Sequence, residues 1–141
     1  MPAALLEMRG ISKRFPGVLA LDGVSFDLHA GEIHALVGEN GAGKSTLMNI
    51  VGGVYPYGTY DGDILVDGQV QRFPGVRPSE DAGIAVVHQE LSLIPDLTVE
   101  QNIWFRREAL SPLGTVRARA LRAQTLDLFE RYAFPIARPD Q

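Results

Sequence analysis

The sequence predicts an α/β fold organised around a phosphate-binding loop, and three observations carry that expectation. Gly38-Glu39-Asn40-Gly41-Ala42-Gly43-Lys44-Ser45-Thr46 matches the pattern Gly, four residues, Gly-Lys-Ser/Thr without a mismatch. Just upstream, residues 33–37 (Ile-His-Ala-Leu-Val) are a short, mostly apolar run, as a central parallel strand should be. Just downstream, residues 45–51 carry Leu47, Ile50 and Val51 at helical spacing, and Gly52-Gly53 closes that helix. Strand, loop and helix in this order is the context in which the motif has meaning. A glycine-rich βα turn without a ligand would share the composition but not the full pattern.

The residue types suit phosphate chemistry. Gly41 and Gly43 lack a Cβ, so the backbone can bend sharply and turn its N–H groups onto a phosphate. Lys44 offers a mobile point charge to the β- and γ-phosphate oxygens. The Ser45 hydroxyl is a hard oxygen ligand suited to Mg²⁺, and Thr46 brings a second hydroxyl nearer the α-phosphate. The helix that follows aims its N-terminal donors and dipole at the same place.

Composition sets the outer bounds. The chain has 141 residues, 45% hydrophobic and 21% charged, enough for one domain with a real core. A net charge of −4 leaves no electrostatic footprint for nucleic acid. Cysteine is absent, which excludes a disulfide framework and a thiolate metal site and fits a cytosolic chain. No apolar run approaches the ~20 residues that span a bilayer. The N-terminus lacks the charged start and long apolar stretch of a signal peptide.

Taken in order, residues 5–12 partly alternate apolar and polar, predicting a half-buried strand. Phe15-Pro16-Gly17-Val18 reads as a turn. Residues 24–29 alternate strictly, with Val24, Phe26 and Leu28 on one face, as in an antiparallel strand with a wet side. Ala30-Gly31 then leads into the strand before the phosphate loop. Residues 56–63 are rich in turn formers. Residues 64–69 form a strand ending at Asp67-Gly68, a hairpin signal that makes 70–73 the return strand. Residues 77–82 suggest a short helix stopped by Gly83, and residues 84–88 a second buried strand with Gln89 at its end. Residues 91–97 form a loop broken by Pro95. Thr98-Val99-Glu100-Gln101 has capping-box spacing for a helix to about Phe105. A longer helix spans about residues 115–133, with Leu121, Leu128 and Tyr132 near one face.

Three landmarks together resemble the ATP-binding subunits of ABC transporters. One is the phosphate loop. The second is Phe15, near Ala20-Leu21-Asp22-Gly23-Val24-Ser25-Phe26, which is similar to the family's adenine-stacking aromatic. The third is Val87-His88-Gln89-Glu90-Leu91 followed by Leu97-Thr98-Val99-Glu100-Gln101-Asn102-Ile103, similar to its glutamine loop and the start of its helical subdomain. Residues 15–21 and 88–95 most resemble bacterial monosaccharide importers, and residues 55–63 their xylose and multiple-sugar branch.

The resemblance implies a P-loop NTPase fold, a RecA-like core with an N-terminal antiparallel β subdomain, here incomplete. Residues 1–30 and 62–76 would be the antiparallel part, 31–61 and 77–97 the phosphate-loop core, and 98–141 the start of the helical subdomain. It implies ATP and Mg²⁺ as cofactors. Phe15, Gly38, Glu39, Asn40, Gly41, Ala42, Gly43, Lys44, Ser45 and Thr46 would bind the nucleotide. Ser45 and Gln89 would bind the metal, and Lys44 and Gln89 would be catalytic. The implied partners are transmembrane permease subunits, a second nucleotide-binding domain and, indirectly, a sugar-binding protein, with no nucleic acid. The implied location is the cytoplasmic face of the cell membrane, peripherally bound.

Each assignment has a plainer competitor. Phe15 could be a turn aromatic packed on its own sheet, although its spacing to Lys44 favours stacking. Gln89 could simply leave a strand, although ligands gather off the carboxyl ends of strands in such sheets. His88 reads as structural, Tyr57 and Tyr60 as a packed turn, and Arg117, Arg119, Arg122 and Arg131 as a solvated helix face. The family's signature sequence, Walker B pair and switch histidine have no counterpart; His29, His34 and His88 come too early. The expectation is a fragment of a first cassette, inactive as an ATPase alone, with unpaired strand edges. Two alternatives are a DNA-associated ATPase with the same cassette and a phosphate-loop small-molecule kinase. Against the first stand the missing heptads and cysteines, and against the second the antiparallel strands ahead of the loop.

Overall fold

The computed structural model describes residues 4–87, 93–110, 114–135 and 139–140. They divide into two compact units, Met1–Val87 and His88–Gln141.

The first unit grows from a long hairpin. Strands β1 (Leu6–Phe15) and β2 (Val18–Leu28) pair antiparallel. Pro16 and Gly17 join them, with Gly17 at φ +77, the proline-then-glycine order of a type II turn. Strand β3 (Asp61–Val66) pairs with the other edge of β1, and β4 (Gln69–Gln71) returns from β3, giving the order β2-β1-β3-β4. The Asp67-Gly68 turn has positive φ at both residues, +49 and +74, as its type predicts.

The hairpin is not regular. Between Met8 and Ile11, β1 carries one residue too many against β2, and β3 sees the same excess between Arg9 and Ser12. Gly10 sits in this bulge at φ +62. A second bulge, at Gly23 on β2, has the opposite sense, so Lys13 stands opposite Leu21 in the register of the strand's start, before a further register shift between Lys13 and Arg14. Bulged amides lose their ladder partners, and serines across the strand replace them. The Gly10 N–H donates to Ser25 Oγ and the Gly23 N–H to Ser12 Oγ, each at 2.8 Å.

One face of this sheet is covered by α1 (Lys44–Val51), which buries Leu47, Ile50 and Val51. They form one core with Met8, Ile11, Leu21, Tyr60, Ile64 and Phe73. Arg9, Ser25, Asp27 and Asp63 stand exposed on the strands, the one-wet-face pattern of antiparallel sheets. Helix α2 (Val76–Asp81) buries Ser79, whose hydroxyl donates to the Val51 carbonyl at 2.8 Å and satisfies an orphan acceptor at the end of α1.

Three expectations are corrected here. Residues 33–37 are not in a strand and are not buried: Ile33 is 98% and Val37 89% exposed. Residues 84–87 likewise form no strand, and Val87 is 93% exposed; His88 lies outside the described residues. An apolar run of the parallel-sheet kind needs a ladder on its edges and cover on both faces. Among the described residues neither run has a ladder partner. In the other direction, Val18 is expected in a turn and residues 19–23 carry no strand expectation, yet residues 18–23 extend β2 back to the hairpin tip.

In the second unit, α3 (Val99–Ile103) begins with the expected capping box. The Gln101 N–H donates to Thr98 Oγ1, and the Thr98 N–H to Gln101 Oε1. Helix α4 (Ala118–Arg131) buries Leu121, Thr125 and Phe129, a stripe at spacing four. Tyr132 is 63% exposed, against expectation: it is the C-cap of α4, its N–H bonded to the Leu128 carbonyl, at the point where the helix stops. Thr125 Oγ1 donates to the Leu121 carbonyl and accepts the Trp104 indole N–H, both at 2.9 Å, so the buried hydroxyl is satisfied. Arg117, Arg119, Arg122 and Arg131 are all exposed. No helix among the described residues is long and apolar enough to cross a membrane.

Candidate functional site

The phosphate loop closes on itself before it becomes a helix. The Ala42 N–H donates to the Glu39 carbonyl at 3.1 Å, and the first helical bond runs from the Leu47 N–H to the Gly43 carbonyl at 2.9 Å. Gly43 is the N-cap of α1 at φ +85 and has no side chain to offer. The first-turn N–H groups of Lys44, Ser45 and Thr46 therefore find no acceptor among the described residues. Gly43 also touches β2: a Cβ there would lie 2.5 Å from the Ala20 carbonyl oxygen and 2.8 Å from Leu21 Cδ2. At Gly41, with φ +88, a Cβ would meet nothing within 4 Å, so space is open above the loop.

Lys44 lies over its own loop. Its Nζ donates to the carbonyls of Gly38 and Glu39, each at 2.7 Å. An ammonium has three donors, so one remains. Ser45 is exposed and Thr46 half-buried at the same helix end, and neither hydroxyl is hydrogen-bonded among the described residues. Free amides, an ammonium and two hydroxyls gathered at a helix N-terminus fit a polyphosphate, and the Ser45 oxygen fits Mg²⁺.

Phe15 ends β1, opposite Val18. Ala20, which Gly43 approaches, is two residues further along β2, roughly 7 Å at about 3.3 Å per residue. The hairpin tip thus places an aromatic ring near the loop. The ring is half-buried and meets Tyr55 edge-on, with centroids 5.5 Å apart and planes at 65°. The Lys13 ammonium lies 5.2 Å from the Phe15 centroid and 4.9 Å from that of Tyr55. Sequence reading passed over Lys13 and Tyr55. The alternation Ile11, Lys13, Phe15 on one strand face was the available signal for the first; nothing in the turn-rich stretch around Tyr55 marked the second.

Gln89, expected to bind metal and water, lies outside the described residues, as do His88 and Glu90. The two earlier histidines pair locally upstream of the loop: His29 Nε2 lies 3.0 Å from Asp27, and His34 Nδ1 3.1 Å from Glu32. Glu32 also accepts the His29 N–H at 2.8 Å. That hydrogen bond, then the one with His34, holds its carboxyl below the usual carboxylate range.

With the geometry in place, comparison with known proteins is direct. The chain is 52% identical over 131 residues to the L-arabinose transport ATP-binding protein AraG of Geobacillus stearothermophilus, covering 93% of this chain and 25% of that protein. It is 59% identical over 108 residues to the xylose import ATP-binding protein XylG of Thermoanaerobacter pseudethanolicus, covering 77% of this chain and 21% of that one. The chain thus spans about a quarter of the length of these relatives. Among solved structures, a nucleotide-free ATP-binding cassette from an ABC transporter superposes with a TM-score of 0.71 at 23% identity, over 98% of this chain and 58% of that one. That likeness shows the fold: the chain has part of the α/β phosphate-loop architecture of such cassettes. The family model described as ABC transporter matches residues 21–135, from within β2 to just past α4, and the chain belongs to the ABC transporter family.

Proposed function

We propose that the protein carrying this chain is the ATP-binding subunit of an ABC-type sugar importer, coupling ATP hydrolysis to uptake. The observation that carries this reading is the phosphate loop, with its unpartnered first-turn amides and the Lys44 ammonium at the start of α1. Relatives named for arabinose and xylose transport support the sugar class. Nothing in the structure favours a DNA-associated ATPase or a small-molecule kinase.

In this reading residues 38–46 wrap the triphosphate. The N–H groups of Lys44, Ser45 and Thr46 hold phosphate oxygens. Lys44 exchanges one of its loop carbonyls for the β- and γ-phosphates and counters their charge during transfer. Ser45 and Gln89 would hold Mg²⁺, which would supply charge neutralisation during phosphoryl transfer. Gln89 would also orient the attacking water. Phe15 would stack on the base through dispersion and a flat face, without reading its edges. Residues 1–30 and 62–76 would form the antiparallel part, 31–61 and 77–97 the core, and 98–141 the start of the helical subdomain. The partners would be permease subunits, a second cassette and a sugar-binding protein, with the subunit bound peripherally at the cytoplasmic membrane face.

Isothermal calorimetry on the full-length protein tests the site. Lys44→Ala should weaken ATP–Mg²⁺ binding at least tenfold, about 1.4 kcal/mol or more, because the triphosphate loses a charge-assisted donor. Unchanged affinity would overturn the assignment.

A further inference from the structure

Lys13 is the one lysine buried in the core among the described residues, 7% exposed. Buried ammonium groups usually sit beside a carboxylate. None pairs with Lys13 among the described residues. Its charge is compensated in another way. The ammonium donates to the Thr59 carbonyl and lies against two aromatic rings, Phe15 at 5.2 Å and Tyr55 at 4.9 Å. These partners come from separate places: Phe15 from the hairpin tip, Tyr55 and Thr59 from the connection between α1 and β3. Lys13 therefore ties that connection to the hairpin. Its own position is fixed, because the two bulges cancel and leave it opposite Leu21, whose side chain abuts Gly43 of the phosphate loop.

A phenylalanine at a hairpin tip has few neighbours to fix its ring. Here the Tyr55 edge and the Lys13 charge supply them. We propose that Lys13 is a positioning residue for nucleobase binding: its buried ammonium holds Phe15 and Tyr55 as one platform, with the Phe15 ring set to receive the base of a nucleoside triphosphate. A cation beside the ring also draws electron density toward itself, leaving the ring a better partner for an electron-rich base. This role rests on the loop's being a nucleotide site, and it concerns the base alone, not the phosphates.

The test compares two ligands on the full-length protein by calorimetry: ATP–Mg²⁺, and Mg²⁺–tripolyphosphate, which has no base or ribose. Lys13→Met should weaken ATP binding about 2- to 30-fold, the span of cation–π contacts from exposed to desolvated. Tripolyphosphate affinity should stay within about twofold, which also shows that the variant is folded. Lys13→Arg keeps a cation against both rings and should restore ATP affinity. In a Phe15→Ala background, Lys13→Met should cause no further loss, since the ring it positions is gone. Should Lys13→Met fail to fold, Tyr55→Leu removes the other half of the clamp and should show the same loss for ATP alone. Equal losses for both ligands, an undiminished loss in the Phe15→Ala background, or no rescue by arginine would overturn the role of Lys13. A wild-type protein that binds neither ligand would overturn the nucleotide reading, and this role with it.

Discussion

The antiparallel sheet and the apolar runs on either side of α1 make an instructive pair. Both are rich in Ile, Val and Leu. In the sheet, Met8, Ile11 and Ile64 are almost wholly buried. In the runs, Ile33, Val37 and Val87 are almost wholly exposed. Hydrophobicity is similar; partnership differs. Each strand of the sheet has a ladder neighbour, and two-residue turns join β1 to β2 and β3 to β4. Residues 33–37 and 84–87 are continuous runs that need ladder neighbours on both edges, and neither has one among the described residues. Burial is thus a property of the pairing and not of the composition.

The contrast can be broken most forcefully in the core. Ile64→Ala, beneath α1, should cost about 2–5 kcal/mol through lost transfer energy and a cavity, whereas Val37→Ala should stay within about 0.5 kcal/mol, as exposed positions do. Chemical denaturation measures both. A comparable loss at Val37 would mean that the run is covered after all.

A second, smaller test lies inside the phosphate loop. Gly43→Ala places a Cβ against the Ala20 carbonyl oxygen and keeps a positive φ, so clash and strain together should cost about 2–4 kcal/mol. Gly41→Ala meets open space and suffers the φ alone, about 1–2 kcal/mol. Equal costs in the same denaturation experiment would contradict the seating of Gly43 on β2.

The smallest effect concerns Glu32, at the entry to the exposed run before the loop. Its carboxyl is held below the usual range by the His29 N–H and then by His34. A depressed folded-state pKa gives stability that is present above the unfolded value and lost as pH falls through the folded one. Glu32→Gln should therefore flatten part of the acid limb of stability below about pH 4.5 and leave neutral pH nearly untouched. An unchanged acid limb would show the exposed carboxylate to be energetically silent.

What was legible in the sequence follows the same division. The Asp67-Gly68 hairpin, the Thr98 capping box, Gly52 as the end of α1 and the loop from Gly38 to Thr46 are set by local chemistry, and local chemistry is visible in a short window. Residues 33–37 and 84–87 were misjudged because their burial depends on distant neighbours. Residues 18–23 were missed as strand because the bulge at Gly23 interrupts the alternation of β2. Tyr132 was misplaced because helical periodicity does not reveal where the helix stops. The lysine clamp escaped because it joins residues 46 apart in sequence, Lys13 and Thr59.

The crossed bonds between Gly10 and Ser25 and between Gly23 and Ser12 also act as a keyed joint. Apolar packing alone tolerates sliding by an even number of residues, and an odd slip would turn Lys13 and Phe15 to the opposite face. The two hydroxyl–amide keys fit at one offset only. Each is exposed and worth about 1 kcal/mol, so together they are modest in strength and strict in geometry. They index the strand carrying the aromatic ring against the strand touching the phosphate loop. The seating of Lys13 opposite Leu21, whose side chain abuts Gly43, is thereby set by two serines that touch neither Lys13 nor Gly43.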